Sequence, residues 1–366
     1  MKAFFLIIAA ICFFGLVGLI FYYLGKRVLA ALKYRFKSIK TSIYWVAYVA
    51  GLFFIVFFKT VFFATLLYSL IFYVVFDVVK ELLKLIKINV KAKNVLSNIN
   101  LHGLTALVLA LILTVAAAAN ARYYQVTNYT VQTDKHFNNA DNLNIVMISD
   151  THCGTAVKEK ELDRIIDGIN ALKPDVVCLC GDIIDEGTSI ELENYSVKKF
   201  SEINSRYGVY YINGNHESID DRERYGEKLE KAGVNVLYDS YVLVDDSFYV
   251  VGRNNGMTIT GNAVRKPIDE LMAGIDTDLP VIILDHAPTA TEENDAAGAD
   301  IQLSGHTHNG QLYPFNYVVA LFNDYRYGCY NLNNGTVVVS SGIGTWGYPV
   351  RLGSKSEIVQ VTLECK

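Results

Sequence analysis

Two rhythms of apolar and polar residues divide the chain. Up to about residue 120 the apolar residues come in long runs, at 3–24, 42–58, 60–76 and 101–119. Each is close to the roughly 20 residues that a bilayer-crossing helix needs. The runs predict four spans, the second and third joined by a tight hairpin at Lys59-Thr60. A signal peptide is the rival reading of the first run, since Lys2 precedes it. No small-x-small cleavage site follows and more runs come later, so an uncleaved anchor is expected. Beyond residue 142 the apolar runs shrink to β-strand length and alternate with amphipathic stretches. Residues 121–142, polar and irregular, read as a tether carrying one strand at most, from Tyr124 to Val131.

The second half predicts strand, helix, strand, helix, strand. Residues 143–149 form the first strand. Residues 158–172 carry apolar side chains at 162, 165, 166, 169 and 172, a helical stripe that Pro174 stops. Asp175 to Cys180 is the second strand, a helix follows near 188–206, and Val209 to Ile212 is the third strand. Another helix is expected at 220–232. Short β runs at Val236–Leu237, Tyr241–Val244 and Phe248–Gly252 begin a second sheet. A helix at 265–273 and strands at Pro280–Leu284, Ile301–Leu303, Thr336–Ser340 and Ile358–Leu363 follow to the end of the chain. The pattern is that of a layered α/β domain over 143–366.

Charge follows the same division. Residues 1–121 carry 13 Lys and Arg against two acids, while residues 122–366 carry 20 basic and 35 acidic side chains. An acidic domain is poorly suited to nucleic acid, whose binding depends on neutralising phosphates, and well suited to gathering divalent cations. The loop at 25–42 holds six Lys and Arg and no acid, and the loop at 77–100 holds five Lys. The positive-inside rule puts both on the cytoplasmic side and everything after residue 120 outside. Lys80 to Lys93 mixes Leu, Ile and Lys at helical spacing and reads as a segment lying on anionic lipid. The six cysteines, Cys12, Cys153, Cys178, Cys180, Cys329 and Cys365, show no zinc spacing, and most of them read as small core residues.

The candidate chemistry sits where the strands end. Asp150, His152, Asp182, Asn215, His286, His306 and His308 each follow a predicted strand, and five of the seven histidines fall in these clusters. Mixed Asp, His and Asn donors suit Mn, Zn or Fe. Seven donors, with Asp182 placed to bridge, favour two divalent metal ions over one.

The ordered blocks Asp150-x-His152, Gly181-Asp182-x-x-Asp185, Gly214-Asn215-His216-Glu217, His286 and Gly305-His306-x-His308 resemble the calcineurin-like metallophosphoesterases. The tail Ser341-Gly-Ile-Gly-Thr345 with Pro349-Val-Arg351 is similar to their membrane-anchored bacterial branch, the YkuE and YaeI type; Asn309 stands where that branch usually has Gly. The resemblance covers about residues 140–366 and implies a two-sheet αββα sandwich behind a four-helix transmembrane region. It implies that Asp150, His152 and His308 hold a first metal and Asn215, His286 and His306 a second, with Asp182 and a hydroxide bridging them. That hydroxide would attack phosphorus, His216 would protonate the leaving alkoxide, and Asp185 would orient His216. Glu217 and Asp285 are candidates to partner the histidine ligands, Arg351 and, more weakly, Arg253 to contact substrate phosphate. Trp346 and Tyr348 either rim the pocket, dip into lipid or pack locally.

The expectation is a membrane-anchored dimetal phosphoesterase at the outer face of a bacterial cell membrane. Its partners would be membrane lipid and a phosphate ester, a phosphodiester or pyrophosphate of an envelope lipid or wall polymer. Two rivals stay open. A UDP-2,3-diacylglucosamine-type pyrophosphatase requires the opposite facing, since its nucleotide substrate is cytoplasmic. A catalytically weak metal-binding sensor module would not require His216.

Overall fold

The computed structural model describes residues 2–57, 61–85, 103–185, 187–217, 219–258, 261–262 and 264–366. It divides into two compact units, Met1–Ala117 and Ala118–Lys366.

The first unit is helical. Apolar sequence without internal breakers forms helices Lys2–Arg35, Thr41–Phe57 and Phe62–Leu85, and a fourth, Leu104–Asn120, runs to the boundary and past it. Their outward faces are apolar, with Val46, Phe53 and Ile112 all more than half exposed, the reverse of a helix that meets water. The four expected spans reduce to two. Among the described residues only Gly15–Arg35 and Phe62–Leu83 are long and apolar enough to cross a membrane. The reason is length: at 17 residues each, Thr41–Phe57 and Leu104–Asn120 reach about 26 Å, short of a hydrocarbon core of about 30 Å. The hairpin tip Lys59-Thr60 and the lysine-rich segment beyond Leu85 lie outside the described residues. Asp77, one of two acids in the third helix, is paired with Arg27 at 2.9 Å and accepts a hydrogen bond from Tyr23, as a carboxylate in an apolar setting must be.

The second unit is a two-sheet sandwich. The first sheet runs β1 (Tyr124–Thr133), β14 (Ser356–Cys365), β2 (Asn142–Ile148), β3 (Val176–Cys180), β4 (Val209–Ile212) and β5 (Asn235–Val236) across its width. The second runs β12 (Gly328–Asn331), β13 (Thr336–Val339), β11 (Ile301–Ser304), β10 (Val281–Leu284), β7 (Phe248–Gly252) and β6 (Ser240–Val244). A small two-stranded ladder, β8 (Met257–Thr258) with β9 (Gly261–Asn262), stands apart. Strands β2 to β5 are parallel, as are β7, β10, β11 and β13. About half of the expected tether is therefore sheet, and the one strand expected there, Tyr124 to Val131, is present and two residues longer: β1 pairs with β14 over ten residues, parallel and in register from Tyr124↔Ser356 to Thr133↔Cys365. It is an edge strand rich in Thr, Gln and Asn with one face solvated.

Apolar side chains fill three layers. Leu143, Ile145, Met147, Cys178, Cys180, Leu284, Leu303 and Val338 meet between the sheets. Val146, Ile148, Val177 and Leu179 face the other way, against Leu162, Ile165 and Ile169 of helix Glu159–Ala171 and Phe200, Tyr225 and Leu229 of the helices after it. On the far side Val251 and Ile283 pack on Ile268, Leu271 and Met272. Strands buried on both faces need continuous apolar runs, which is how β2, β3 and β10 read. Cys153, Cys178 and Cys180 are buried free thiols whose titration burial pushes far up, so they pack as inert small residues.

Leu303→Ala, at a fully buried position between the sheets, should destabilise the second unit by about 2–5 kcal/mol in chemical denaturation. Leu243→Ala, 40% exposed on β6, should cost less than about 1 kcal/mol.

Candidate metal centre

Five loops leave the carboxyl ends of parallel strands and converge. The register aligns Ile148 of β2 with Leu179 of β3, and Cys180 of β3 with Ile212 of β4, so these strands end nearly level. Ligands in open α/β sheets collect at such an edge. Loop β2 brings Asp150 and His152; β3, Asp182 and Asp185; β4, Asn215 and His216. Across the sandwich, β10 brings His286 and β11 brings His306 and His308.

Close approach of these loops needs glycine. A Cβ on Gly214 would overlap the Asp182 carboxylate, and one on Gly305 the Asp150 carboxylate. The backbone is also held in an unusual form. Asp150, His152, Asp182, His306 and His308 all have left-handed φ, between 45° and 72°. Non-glycine residues adopt that region at a cost and collect there mainly at functional sites.

The donor atoms form three overlapping groups, each within 4.8 Å: Asp150, His152 and His308; His152, Asp182 and His216; Asp182, His286 and His306. His152 Nε2 and His308 Nε2 face each other at 3.1 Å, and His308 Nε2 is 3.4 Å from Asp150 Oδ1. Asp182 Oδ2 stands between the groups, 3.1 Å from His286 Nε2 and 3.9 Å from His152 Nε2. Asn215 Oδ1 lies 2.6 Å from His306 Nδ1 and 3.2 Å from His286 Nε2. All seven residues singled out as donors are thus drawn together, with His216 beside them.

Several partners fix the donors. The amide of His306 donates to both oxygens of Asp150, and the amide of His216 donates to Asp182 Oδ1 at 2.8 Å. His286 Nδ1 is 2.8 Å from the carbonyl of Cys180, which sets it as the protonated nitrogen and turns Nε2 toward the centre. Asp185 Oδ1 lies 2.7 Å from His152 Nδ1 and 3.2 Å from His216 Nδ1. It therefore serves His152 as closely as His216, a double role the spacing did not reveal.

Glu217 and Asp285 do not partner the histidines. The Glu217 carboxylate accepts from the amides of Asp182, Ile183, Ile184 and Gly214 at 2.6–3.2 Å, tying the β3 and β4 loops together. Burial and the nearby charge of Asp182 push its pKa up to about 7. Asp285 pairs with Arg265 and accepts from Asn294. Arg351 is fully buried: it donates to the carbonyls of Ser341, Gly344 and Lys355 and lies 3.4 Å from His308 Nδ1. Its guanidinium is committed to that loop, which removes it from the surface a substrate would meet. Arg253 is buried too, donating to Asn294 and the Lys266 carbonyl. The Gly-rich loop Ser341–Thr345, which the sequence marks only by its resemblance, has a role its spacing did not reveal: its amides at Ile343 and Gly344 donate to the carbonyls of Ser149 and Asp150, pinning the first donor.

The electrostatics call for cations. Asp150 and Asp182 are 0% and 2% exposed. Among the described residues no lysine or arginine forms an ion pair with either; their charged contacts are histidines. Burial opposes protonation of His286, but Asp182 wins and raises its pKa to about 10. Burial disfavours the charged form of Asp182, yet the surrounding histidines hold its pKa far below the usual range. His308 is pushed well down by burial, His152 and Arg351, which keeps it a neutral donor as metal ligation requires. Buried anions need compensating charge, and clustered imidazole, carboxylate and amide oxygen donors fit borderline divalent ions.

Residues 143–310 match the calcineurin-like phosphoesterase family. An uncharacterized metallophosphoesterase of Campylobacter jejuni is 31% identical over 295 residues, covering 80% of this chain and 77% of that protein. A zebrafish (Danio rerio) protein described as a transmembrane protein with metallophosphoesterase domain is 30% identical over 275 residues, 71% of this chain; the chain spans only 62% of its length. The uncharacterized metallophosphoesterase YkuE of Bacillus subtilis is 27% identical over 258 residues, 66% of this chain and 85% of that one.

Glu217→Ala leaves four buried amides without an acceptor. It should lower stability by roughly 3 kcal/mol and reduce metal content, read by denaturation and elemental analysis of the purified chain. Unchanged metal content would show that the two loops hold their shape without it.

Proposed function

We propose that this chain, which belongs to the calcineurin-like phosphoesterase family of metal-dependent phosphoester hydrolases, cleaves phosphodiester or pyrophosphate bonds of lipid-linked substrates at a bacterial membrane. The observation that carries the reading is Asp182, whose carboxylate lies between two donor groups and within 4 Å of a histidine from each. In this reading Asp150, His152 and His308 hold one ion, Asn215, His286 and His306 the other, and Asp182 both. Two such ions lower the pKa of water and neutralise phosphate oxygens in an in-line displacement.

The rest falls to the chain's own residues. His216 is 8% exposed, its backbone anchored on Asp182 and its imidazole beside Asp185. That places a proton donor at the mouth, where a leaving alkoxide departs. Asp185 fixes the rings of His152 and His216, which meet edge to face at 4.9 Å. Arg351 acts at a distance, positioning His308 and the Ser341–Thr345 loop and not touching substrate. The membrane assignment rests on the two bilayer-length helices and on the zebrafish relative's description as a transmembrane protein. The six Lys and Arg from Lys26 to Lys40, set on the cytoplasmic side, make the second unit face outward after one further span, while the five Lys at 77–100 favour the opposite facing.

With added Mn, the purified chain should hydrolyse bis-p-nitrophenyl phosphate. Asp182→Ala should abolish turnover, and His216→Ala should lower kcat by about 10²–10⁴-fold with metal content retained. Wild type no faster than Asp182→Ala would remove the enzyme reading. A reporter fused after Lys366 should be active outside the cytoplasm; activity inside would favour the nucleotide-lipid pyrophosphatase alternative.

A further inference from the structure

The helix Phe315–Phe322, with sequence Phe-Asn-Tyr-Val-Val-Ala-Leu-Phe, follows directly on the turn that carries His308 and has no buried residue. Tyr317 and Leu321, and Val318 and Phe322, are four apart and therefore share one face. They are 59%, 79%, 46% and 81% exposed. A helix on a water-facing surface turns polar residues outward; this one turns out an uncharged apolar stripe. No charged residue occurs between His308 and Asp324.

Trp346 extends the patch toward the chemistry. It is 54% exposed and its ring centroid lies 6.0 Å from that of His216. Gln311 joins the two parts: its side chain accepts from the amide of Trp346 and donates to the carbonyls of Trp346 and Tyr348. Gln311, four residues ahead of the helix, thus ties the loop of Trp346 to the segment that leads into it.

The covalent path says what covers it. Leu312, just ahead of the helix, bridges to Leu352 and Gly353, and the amide of Tyr313 donates to the Leu352 carbonyl. The carbonyls on either side, of Arg351 and Ser354, accept from the side chain of Asn120. Asn120 is the last residue of the apolar helix Leu104–Asn120, and three residues separate it from β1. Three residues reach about 11 Å at most. Asn120, where the chain enters the second unit from its apolar segment, and the exposed apolar helix therefore share one edge of that unit. Arg122 and Arg164 line a cavity of about 430 Å³ with Tyr123, Tyr124, Asp167 and Gly168, just past Asn120. Basic and tyrosine side chains are the residue types that settle at lipid headgroups.

We infer that Phe315–Phe322 and Trp346 seat in the surface of the lipid bilayer and hold the mouth of the metal centre at the lipid–water interface, so that the substrate is a phosphate ester presented by a membrane lipid. The occupant is lipid and not a protein partner: the patch has no charge with which to select one, and it lies on the edge of the unit where the chain arrives from its apolar segments. Interfacial helices bury an apolar face several ångströms into the headgroup boundary, and a helix of eight residues, about 12 Å long, suffices to set the depth of the Trp346 loop. The choice of substrate rests on the phosphoesterase reading; the seating in lipid does not.

The chain has two tryptophans, Trp45 and Trp346, so Trp45→Phe leaves one reporter at the mouth. In the full chain reconstituted into phosphatidylcholine nanodiscs, brominated phosphatidylcholine should quench Trp346 and acrylamide should quench it poorly. Adding L321E and F322E, both at exposed positions, should reverse that preference. These changes should leave hydrolysis of bis-p-nitrophenyl phosphate intact while reducing, several-fold, hydrolysis of an acylated p-nitrophenyl phosphodiester carried in the same discs. A Trp346 open to acrylamide and insensitive to the brominated lipid overturns the inference, and so does equal loss on both substrates. If the lipid quenches Trp346 but neither ester is cleaved, the phosphoesterase reading fails and the seating in lipid stands.

Discussion

Two carboxylates almost wholly out of water, on Asp150 and Asp182, constrain everything around them. An unpaired charge in such a place is strongly destabilising, and here each is met by amide hydrogens and imidazoles, while among the described residues no lysine or arginine pairs with it. Without ions that charge is balanced by protonated imidazole, as the raised pKa of His286 shows; bound divalent ions would take over that role and leave the histidines neutral. The strained left-handed backbone at Asp150, His152, Asp182, His306 and His308 is tolerable because the sandwich overdetermines it. Parallel strands fix where the loops begin, Glu217 ties two of them together, and the loop held by Arg351 closes over a third.

The sandwich and the centre depend on each other. The sheets bring strand ends from β2, β3 and β4 against those of β10 and β11, and the apolar layer between them holds these edges in register. Its stability is spent partly on the centre, where positive φ, buried charge and close backbone contact all oppose folding. Ions that bind only the folded form would return that cost by mass action. Stability and metal content are thus coupled through the same residues, Glu217 foremost.

Much of this was legible in the sequence because the chemistry recurs at strand ends. Asp-x-His, Gly-Asp, Gly-Asn-His and Gly-His-x-His each follow an apolar run, and their order pointed to a shared edge and a family. What stayed hidden depends on contacts distant in sequence. Asp185 serving His152, 33 residues earlier, leaves no local pattern. Arg351 looked like a phosphate ligand because Arg in a glycine-rich loop usually is exposed; only packing reveals it spent on carbonyls. The strand β1 was legible but its pairing with β14, more than 200 residues later, was not, and the number of spans was hidden by helix ends, which apolar runs locate poorly. The helix Phe315–Phe322 is the opposite case: its apolar sequence was plain, but its exposure was not.

The central claim is that one buried carboxylate is shared by two ions. Anomalous diffraction from crystals of the second unit grown with Mn, its folding in isolation checked first, tests this most directly. The account predicts two peaks roughly 3.5–4 Å apart, with Asp182 in contact with both, Asp150, His152 and His308 around one, and Asn215, His286 and His306 around the other. A single fully occupied peak at saturating Mn, or two peaks with Asp182 bound to only one, would contradict it.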